Sequence, residues 1–169
     1  RQKDKFDKKY SVGNNNTIRD LFVDNKQGIV FLATDKGLIC YDYNKNISYA
    51  YPDLSFPIIT FTKYSENLLI SVHNNAISFL NIKTKQIEKE ILSTELINQI
   101  SKLRDISGAC IDKNKNIYLA SLGQVSLLKP HDTQLRTNPL LNKEIDKTVI
   151  TKIVADKNGA IFLGTPGKG

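Results

Sequence analysis

The chain has no tryptophan and no methionine, and its 169 residues include only two histidines and two cysteines. No His-x-x-x-His or Cys-x-x-Cys pair occurs, so the usual ligand spacing of a metal site is absent. A Gly-x-Ser-x-Gly elbow is missing too, which removes the sequence support for a hydrolase triad. Both histidines, His73 and His131, lie beside predicted turns, and we interpret them as solvated loop residues. We expect neither catalysis nor a metal or other cofactor in this segment.

Long apolar runs are also lacking. None approaches the roughly 20 residues that a membrane-spanning helix needs, so we do not expect the segment itself to cross a bilayer. The net charge is +7, but only four of the 24 basic residues are arginines, and the lysines are scattered singly. Nucleic-acid-binding proteins usually gather Arg and Lys on one face, so we expect no nucleic-acid partner. Scattered lysines more often protect strand edges.

What the chain does contain is a repeat. Residues 17–42 hold three short apolar runs separated by polar breaks, each with a glycine, which is typical of strands joined by hairpin turns. The same order returns at residues 111–121 and 154–165, and a weaker copy lies at residues 61–72. If Leu32, Ile70, Leu119 and Leu163 are equivalent, the spacings are 38, 49 and 44 residues. A period of about 40–50 residues with several short strands per unit predicts propeller blades.

The predicted fold is therefore all-β: a partial β-propeller of about three and a half four-stranded antiparallel blades, in a single domain. The blade units are placed at residues 17–53, 57–92, 106–137 and, incomplete, 149–169, with residues 1–12 as a tail or outer strand. Apolar residues spaced by four and three between Ser93 and Leu103 predict one short inter-blade helix. A loop with some irregular structure is expected around Pro139.

Three and a half blades do not form an ordinary closed ring. We expect the chain to be a piece of a longer propeller, or copies of it to associate through their open blade flanks. Cys40 and Cys110 fall in strands of blades that are not neighbours, so a disulfide between them is not expected. Both are interpreted as small buried residues.

The repeat follows the pattern apolar-x-Asp-x-x-Gly-x-apolar-aromatic-apolar-Gly-Thr-x-x-Gly-Leu-x-x-Tyr-Asp. The first unit matches it at Asp24, Gly28, Phe31, Thr34, Gly37, Leu38, Tyr41 and Asp42. The fourth unit matches at Asp156, Gly159, Ile161, Phe162, Leu163, Gly164 and Thr165, and the third at Asp112, Ile117, Tyr118, Leu119 and Ser121. This pattern resembles the two-component regulator propeller repeat, with Phe or Tyr in place of the usual Trp.

The resemblance implies a periplasmic ligand-sensing propeller of a bacterial hybrid two-component system, often one that recognises oligosaccharides. In such receptors a sandwich-like domain, a membrane span, a kinase and a DNA-binding region follow, and the membrane is reached only through those parts. The motif residues themselves are expected to be structural. The glycines allow left-handed turns, the aspartates bind turn amides, and the aromatic residue fills space between blades.

If a ligand site exists, propeller geometry places it on the loops at one end of the central channel. Those loops supply seven candidates, namely Asp35, Lys36, Tyr51, Asp53, His73, Asn74 and Arg104. We expect non-catalytic sensing of a ligand such as an oligosaccharide. Two alternatives stay open: a protein-interaction platform, and a propeller enzyme of the lyase or lactonase type with its catalytic residues in other blades.

Overall fold

Four antiparallel sheets make up almost the whole fold. The structure, a computed structural model, describes residues 16–51, 54–73, 76–91 and 93–167. The first sheet has β1 Ile18–Asp24, β2 Ile29–Thr34, β3 Gly37–Asp42 and β4 Ile47–Ala50. The second has β5 Ile58–Lys63, β6 Leu68–His73, β7 Ala76–Asn81 and β8 Gln86–Ile91. The third has β9 Gly108–Ile111, β10 Ile117–Ser121, β11 Gln124–Leu128 and β12 Arg136–Thr137, and the last has β13 Lys152–Ala155 and β14 Ile161–Gly164.

Each sheet is one blade of a partial β-propeller, which confirms the predicted fold class. The first strands of successive blades, β1, β5, β9 and β13, contact one another, while β4, β8 and β12 form the outer edges. The proposed tail or outer strand at residues 1–12 lies outside the described residues. Of the described helices, none is long and apolar enough to span a membrane.

The core consists of three clusters, one at each junction between blades. Phe31 and Leu38 of blade one pack with Ile58 of blade two in the first cluster. The second joins blades two and three and the third joins blades three and four. Blade two lies between two neighbours, so β6 and β7 are buried on both faces almost along their whole length.

The motif aspartates organise the turn between the first and second strands. Asp24, Asp112 and Asp156 each accept a hydrogen bond through Oδ1 from the amide two residues later, at 3.0, 2.8 and 2.8 Å. Hydrogen bonds of this kind fold the backbone back on itself. The structural interpretation of these residues is confirmed.

Gly37 is required by both conformation and space. Its φ is +121°, and a Cβ at this position would lie 2.0 Å from the carbonyl oxygen of Leu54. The hairpin between β2 and β3 therefore packs its backbone directly against the segment that leads into blade two. Any side chain here would force the two apart.

Of the two described helices, the sequence predicts one. Helix α1, Thr94–Lys102, agrees with the predicted inter-blade helix. The predicted irregular loop around Pro139 is wrong, because Pro139–Glu144 forms a second helix, α2. Asn138 caps it by accepting hydrogen bonds from the amides of Leu140 and Leu141, and proline favours a first helical turn. The fold therefore has two helices among the described residues.

The repeat alignment of blade two is off by one residue. Leu32 and Leu119 occupy the same place relative to the hairpin that follows them, but the residue at that place in blade two is Ser71. Ile70, which the apolar spacing selects, is the preceding residue. Both faces of β6 are buried, so hydrophobic periodicity does not distinguish them.

Cys40 and Cys110 are buried and free, as expected. Burial raises the pKa of each thiol to about 12, so both stay protonated near neutral pH. Large apolar side chains are exposed on the two terminal blades: Leu21 and Val23 on β1, and Val154 and Phe162 on the last sheet. Self-association through these flanks stays a prediction.

Candidate ligand site at the channel mouth

Two β-bulges occupy equivalent places in the first strands of blades one and two. The pairing register of β1 with β2 shifts across Arg19, and that of β5 with β6 shifts across Ile59. The extra residue in a bulge leaves the ladder, which redirects its side chain. Arg19 and Ile59 both line one cavity of about 420 Å³ at the end of the channel where the second and third strands turn.

The remaining wall of this cavity comes from the connection between blades two and three. The full lining is Arg19, Ile59, Ile100, Ser101, Leu103, Asp105 and Ile106. We call this space the mouth cleft. A smaller cavity of about 260 Å³ also includes Asp105 and extends along Ser107, Leu122, Val149 and Ile150 towards blade four. Asp105 therefore lies between the two cavities.

Helix α1 positions the wall of the mouth cleft that comes from the connection between blades two and three. Ser93 caps its start by accepting a hydrogen bond from the amide of Leu96 at 3.1 Å. Leu96 and Ile100 are buried in the cluster between blades two and three, which fixes the helix against the sheet. The Leu103 amide donates to the Ile100 carbonyl at 3.0 Å and ends the helix beside the cleft. Asp105 follows with a φ of +48°, a conformation rare for residues other than glycine.

The mouth cleft combines opposite charges with apolar walls. Arg19 and Asp105 are both exposed, and neither forms an ion pair within the described part of the chain. Ser101 Oγ donates to the Asn98 carbonyl at 3.0 Å, which leaves the hydroxyl oxygen as an acceptor. The guanidinium supplies a planar set of donors, and the carboxylate supplies acceptors. The cleft therefore suits a ligand with several hydroxyl groups.

Beside the bulges, polar contacts join the first strands across the channel. Asp20, Thr60, Gly108 and Lys152 lie at equivalent register positions of the four blades. Asp20 Oδ2 accepts hydrogen bonds from the Thr60 hydroxyl at 2.6 Å and from the Phe61 amide at 3.0 Å. Lys152 Nζ lies 3.8 Å from Asp20 Oδ1. Asp20 therefore contacts both the next blade and blade four.

Five of the candidates from the sequence are among the described residues, and these five lie near this end of the channel but do not line the mouth cleft. Lys36 and Arg104 are exposed. Asp35 is half-buried, and its Oδ1 accepts a hydrogen bond from the Thr17 amide at 2.9 Å. This bond fixes the start of β1 to the hairpin between β2 and β3. Asp53 and Asn74 lie outside the described residues.

Burial argues against the two aromatic candidates. Tyr51 is 6% exposed within the cluster between blades one and two, and this burial raises its pKa above the ordinary tyrosine value. His73 is also 6% exposed, so its interpretation as a solvated loop residue is wrong. Its Nε2 lies 3.0 Å from Ser78 Oγ, and its ring centroid lies 4.2 Å from that of Phe56. His131, by contrast, is exposed as predicted.

Sequence reasoning missed the residues that line the cleft. One signal was present, because Arg19 and Asp20 are adjacent charged residues between Ile18 and the apolar run of residues 21–23. A charged pair there indicates a break in the alternation of the strand, which the bulge provides. Ser101 and Asp105 carry no such signal, since their placement depends on where the helix ends.

No protein-family model and no curated protein sequence matches the chain. Among solved structures, the chain is similar to the extracellular domain of the putative hybrid two component system BT3049 from B. thetaiotaomicron. The identity is 18%, the TM-score is 0.66, and the match covers 99% of this chain and 23% of that one.

Two other solved structures are also similar to the chain. The β-propeller domain of Cps50 (Swd1) from Myceliophteria thermophila has 15% identity and a TM-score of 0.60, with 90% of this chain and 51% of that chain covered. Hydrazine synthase from Kuenenia stuttgartiensis has 12% identity and a TM-score of 0.58, with 95% and 47% covered. At these identities the likeness establishes the propeller fold. The chain spans about a quarter to a half of the length of these proteins.

Proposed function

We propose that the chain is part of a ligand-sensing propeller in a bacterial signalling receptor, that it lies in the periplasm, and that it binds an oligosaccharide at the mouth cleft without catalysing a reaction. The observation that carries this proposal is the pair of equivalent bulges. They bring Arg19 of blade one and Ile59 of blade two to a single cavity that Asp105 completes. Bulges are over-represented beside functional sites because they re-aim side chains.

The cleft supports a binding mechanism because its walls belong to different units. Arg19 lies on blade one, and Ser101 and Asp105 lie on the connection between blades two and three. A ligand that contacts both walls favours the conformations in which they are correctly spaced. Such a preference is what a receptor needs in order to pass binding to another domain.

Two further observations favour sensing. The repeat resembles the two-component regulator propeller repeat, and the chain is structurally similar to the extracellular domain of a putative hybrid two component system. Sugar hydroxyls both donate and accept hydrogen bonds, so they match a site with a guanidinium and a carboxylate. The fold itself does not decide function, since a hydrazine synthase shares it.

The proposal is tested by isothermal titration calorimetry of the 169-residue chain against a panel of neutral di- to hexasaccharides. Hydrogen bonds to a charged group contribute about 1.5–3 kcal/mol, so we expect Arg19→Ala and Asp105→Asn to weaken binding by about 10- to 100-fold. Lys36→Ala is the matched control, because Lys36 is exposed at the same end but does not line the cleft. The proposal fails if no saccharide binds, or if Arg19→Ala binds as tightly as the wild type.

A protein-interaction platform is a second candidate. The exposed Leu21 and Phe162 on the terminal blades favour it, because contiguous apolar surface often marks an interface. Analytical ultracentrifugation of the chain over a concentration series tests whether these flanks join copies of the chain. Association that Leu21→Lys abolishes supports that form of the platform, and a monomer at every concentration argues against it.

A further inference from the structure

A second cleft lies between blades two and three, and it includes Tyr64 and Lys115 from the turns that join the first and second strands, at the opposite end of the blades from the mouth cleft. Its volume is about 240 Å³. Most of its wall is apolar or aromatic, and lysines lie at its edge. Its lining includes Tyr64, Phe79, Ile117, Leu128, Lys115 and Lys129. We call it the inter-blade cleft. Ile117 and Leu128 are buried at its base, in the cluster that joins the two blades.

Two aromatic rings shape one wall. Tyr64 and Phe79 meet edge to face, with centroids 5.1 Å apart and an interplanar angle of 82°. Aromatic rings prefer this arrangement, and it can be extended by a further ring. The wall therefore suits a flat apolar group better than a group covered with hydroxyls, whose hydrogen bonds would be lost against it.

Lys115 has an unusual backbone conformation. Its φ is +65°, and it occupies the turn position that Gly159 fills in blade four with a φ of +94°. In both turns the amide donates to the carbonyl of the aspartate three residues earlier, at 3.0 Å for Lys115 and 3.1 Å for Gly159. A lysine is strained in this conformation and a glycine is not. Strained residues are found disproportionately at functional sites.

The side chain of Lys115 places a cation beside the aromatic wall of the inter-blade cleft. Its ammonium lies 4.8 Å from the centroid of the Tyr64 ring and donates a hydrogen bond to the Tyr64 carbonyl. A cation is thereby held over the aromatic wall of the cleft. An ammonium has three donors, so two more remain for a ligand.

The charge of the cleft is positive. Within the described part of the chain, neither Lys115 nor Lys129 forms an ion pair. Glu88 is the carboxylate in the lining, and its Oε1 already accepts a hydrogen bond from Asn81 Nδ2. An anionic group on the ligand therefore complements the edge, while an apolar ring complements the interior.

We propose that the inter-blade cleft binds a small aromatic carboxylate, with its ring against Tyr64 and Phe79 and its carboxylate on Lys115. An apolar cavity of about 150 Å³ is enough for benzene, so a cleft of this size accommodates a substituted ring. Lys129 at the same edge adds favourable charge. The site is separate from the mouth cleft and does not depend on the function proposed there.

The test uses phenylacetate as the probe and the full chain, followed by amide chemical shifts and calorimetry. Lys115→Asn removes the cation and keeps a residue that tolerates positive φ, so the turn is retained. We expect it to weaken phenylacetate binding at least about tenfold, because the lost contact is charge-assisted. Lys113→Asn is the matched control: it lies in the same turn, but its Cε packs near Gly159 of blade four, 3.6 Å from a Cβ built there. We expect it to change binding less than about twofold.

Further probes separate the parts of the proposal. Benzyl alcohol lacks the carboxylate and glucuronate lacks the aromatic ring, so both should bind at least about tenfold more weakly than phenylacetate. Arg19→Ala should leave phenylacetate binding unchanged. The proposal is overturned if phenylacetate causes no shifts at Tyr64 and Phe79, if Lys115→Asn binds it like the wild type, or if glucuronate binds more tightly.

Discussion

Asp20 offers a quantitative test of how the blades are held together. Its carboxylate accepts two hydrogen bonds from β5, at 2.6 Å from the Thr60 hydroxyl and at 3.0 Å from the Phe61 amide. The side chain is only 17% exposed, so these bonds are largely shielded from water. Each hydrogen bond to a charged group contributes about 1.5–3 kcal/mol. Lys152, itself 62% exposed and 3.8 Å away, adds less than about 1 kcal/mol.

Asp20→Ala should therefore lower the free energy of unfolding by about 3–5 kcal/mol, because both donors lose their acceptor. Asp20→Asn keeps one acceptor oxygen without the charge, and should cost about 1–2 kcal/mol. The assay is urea denaturation followed by far-UV circular dichroism, which does not need tryptophan. Asp132→Ala is the control, because Asp132 pairs with a 58% exposed Arg136 and should cost less than about 1 kcal/mol. If Asp20→Ala costs no more than Asp132→Ala, Asp20 does not hold the blades together.

Three further substitutions test individual turns by the same denaturation assay. Lys115→Gly should raise the free energy of unfolding by up to about 1 kcal/mol, because glycine removes the strain of a positive φ; a loss of stability would show that the side-chain contact with Tyr64 outweighs the strain. Gly37→Ala should lower it by more than about 2 kcal/mol, since the new Cβ would lie 2.0 Å from the Leu54 carbonyl oxygen; a neutral result would contradict the close packing of this hairpin. Burial alone would raise the pKa of Asp112, but hydrogen bonds from Asn116 and its neighbours hold that pKa below its ordinary value. The resulting stabilisation is present above the unfolded-state pKa of about 3.9 and is lost as the pH falls through the folded-state pKa. Asp112→Asn should therefore make the free energy of unfolding fall less steeply with decreasing pH in the acid range. An unchanged acid dependence would contradict this role of Asp112.

The sequence predicts the blades well because each repeat carries its own local chemistry. The aspartate and glycine of a turn act within a few residues, as Asp156 and Gly159 show. Such signals survive without knowledge of the partner blade. Helix α2 does not follow from the expected loop around Pro139, because the expectation did not consider that proline in a first turn, with Asn138 as the cap, starts a helix.

The site was harder to predict because it depends on contacts between blades. Tyr51 and His73 lie in the expected connections, but packing against neighbouring elements buries both. Arg19 reaches the mouth cleft through a bulge, and a one-residue bulge changes which face a side chain takes. Local sequence patterns do not determine whether a side chain is buried against a neighbouring blade or redirected by a bulge.

We propose that the ligand of this propeller binds at the mouth cleft. The most direct measurement is the amide chemical-shift map of the 169-residue chain, titrated with the tightest-binding oligosaccharide of the panel. We expect the largest shifts at Arg19, Ser101 and Asp105, and we expect these shifts to be lost in Arg19→Ala. Shifts confined to the opposite end of the channel, around Lys115, would contradict it.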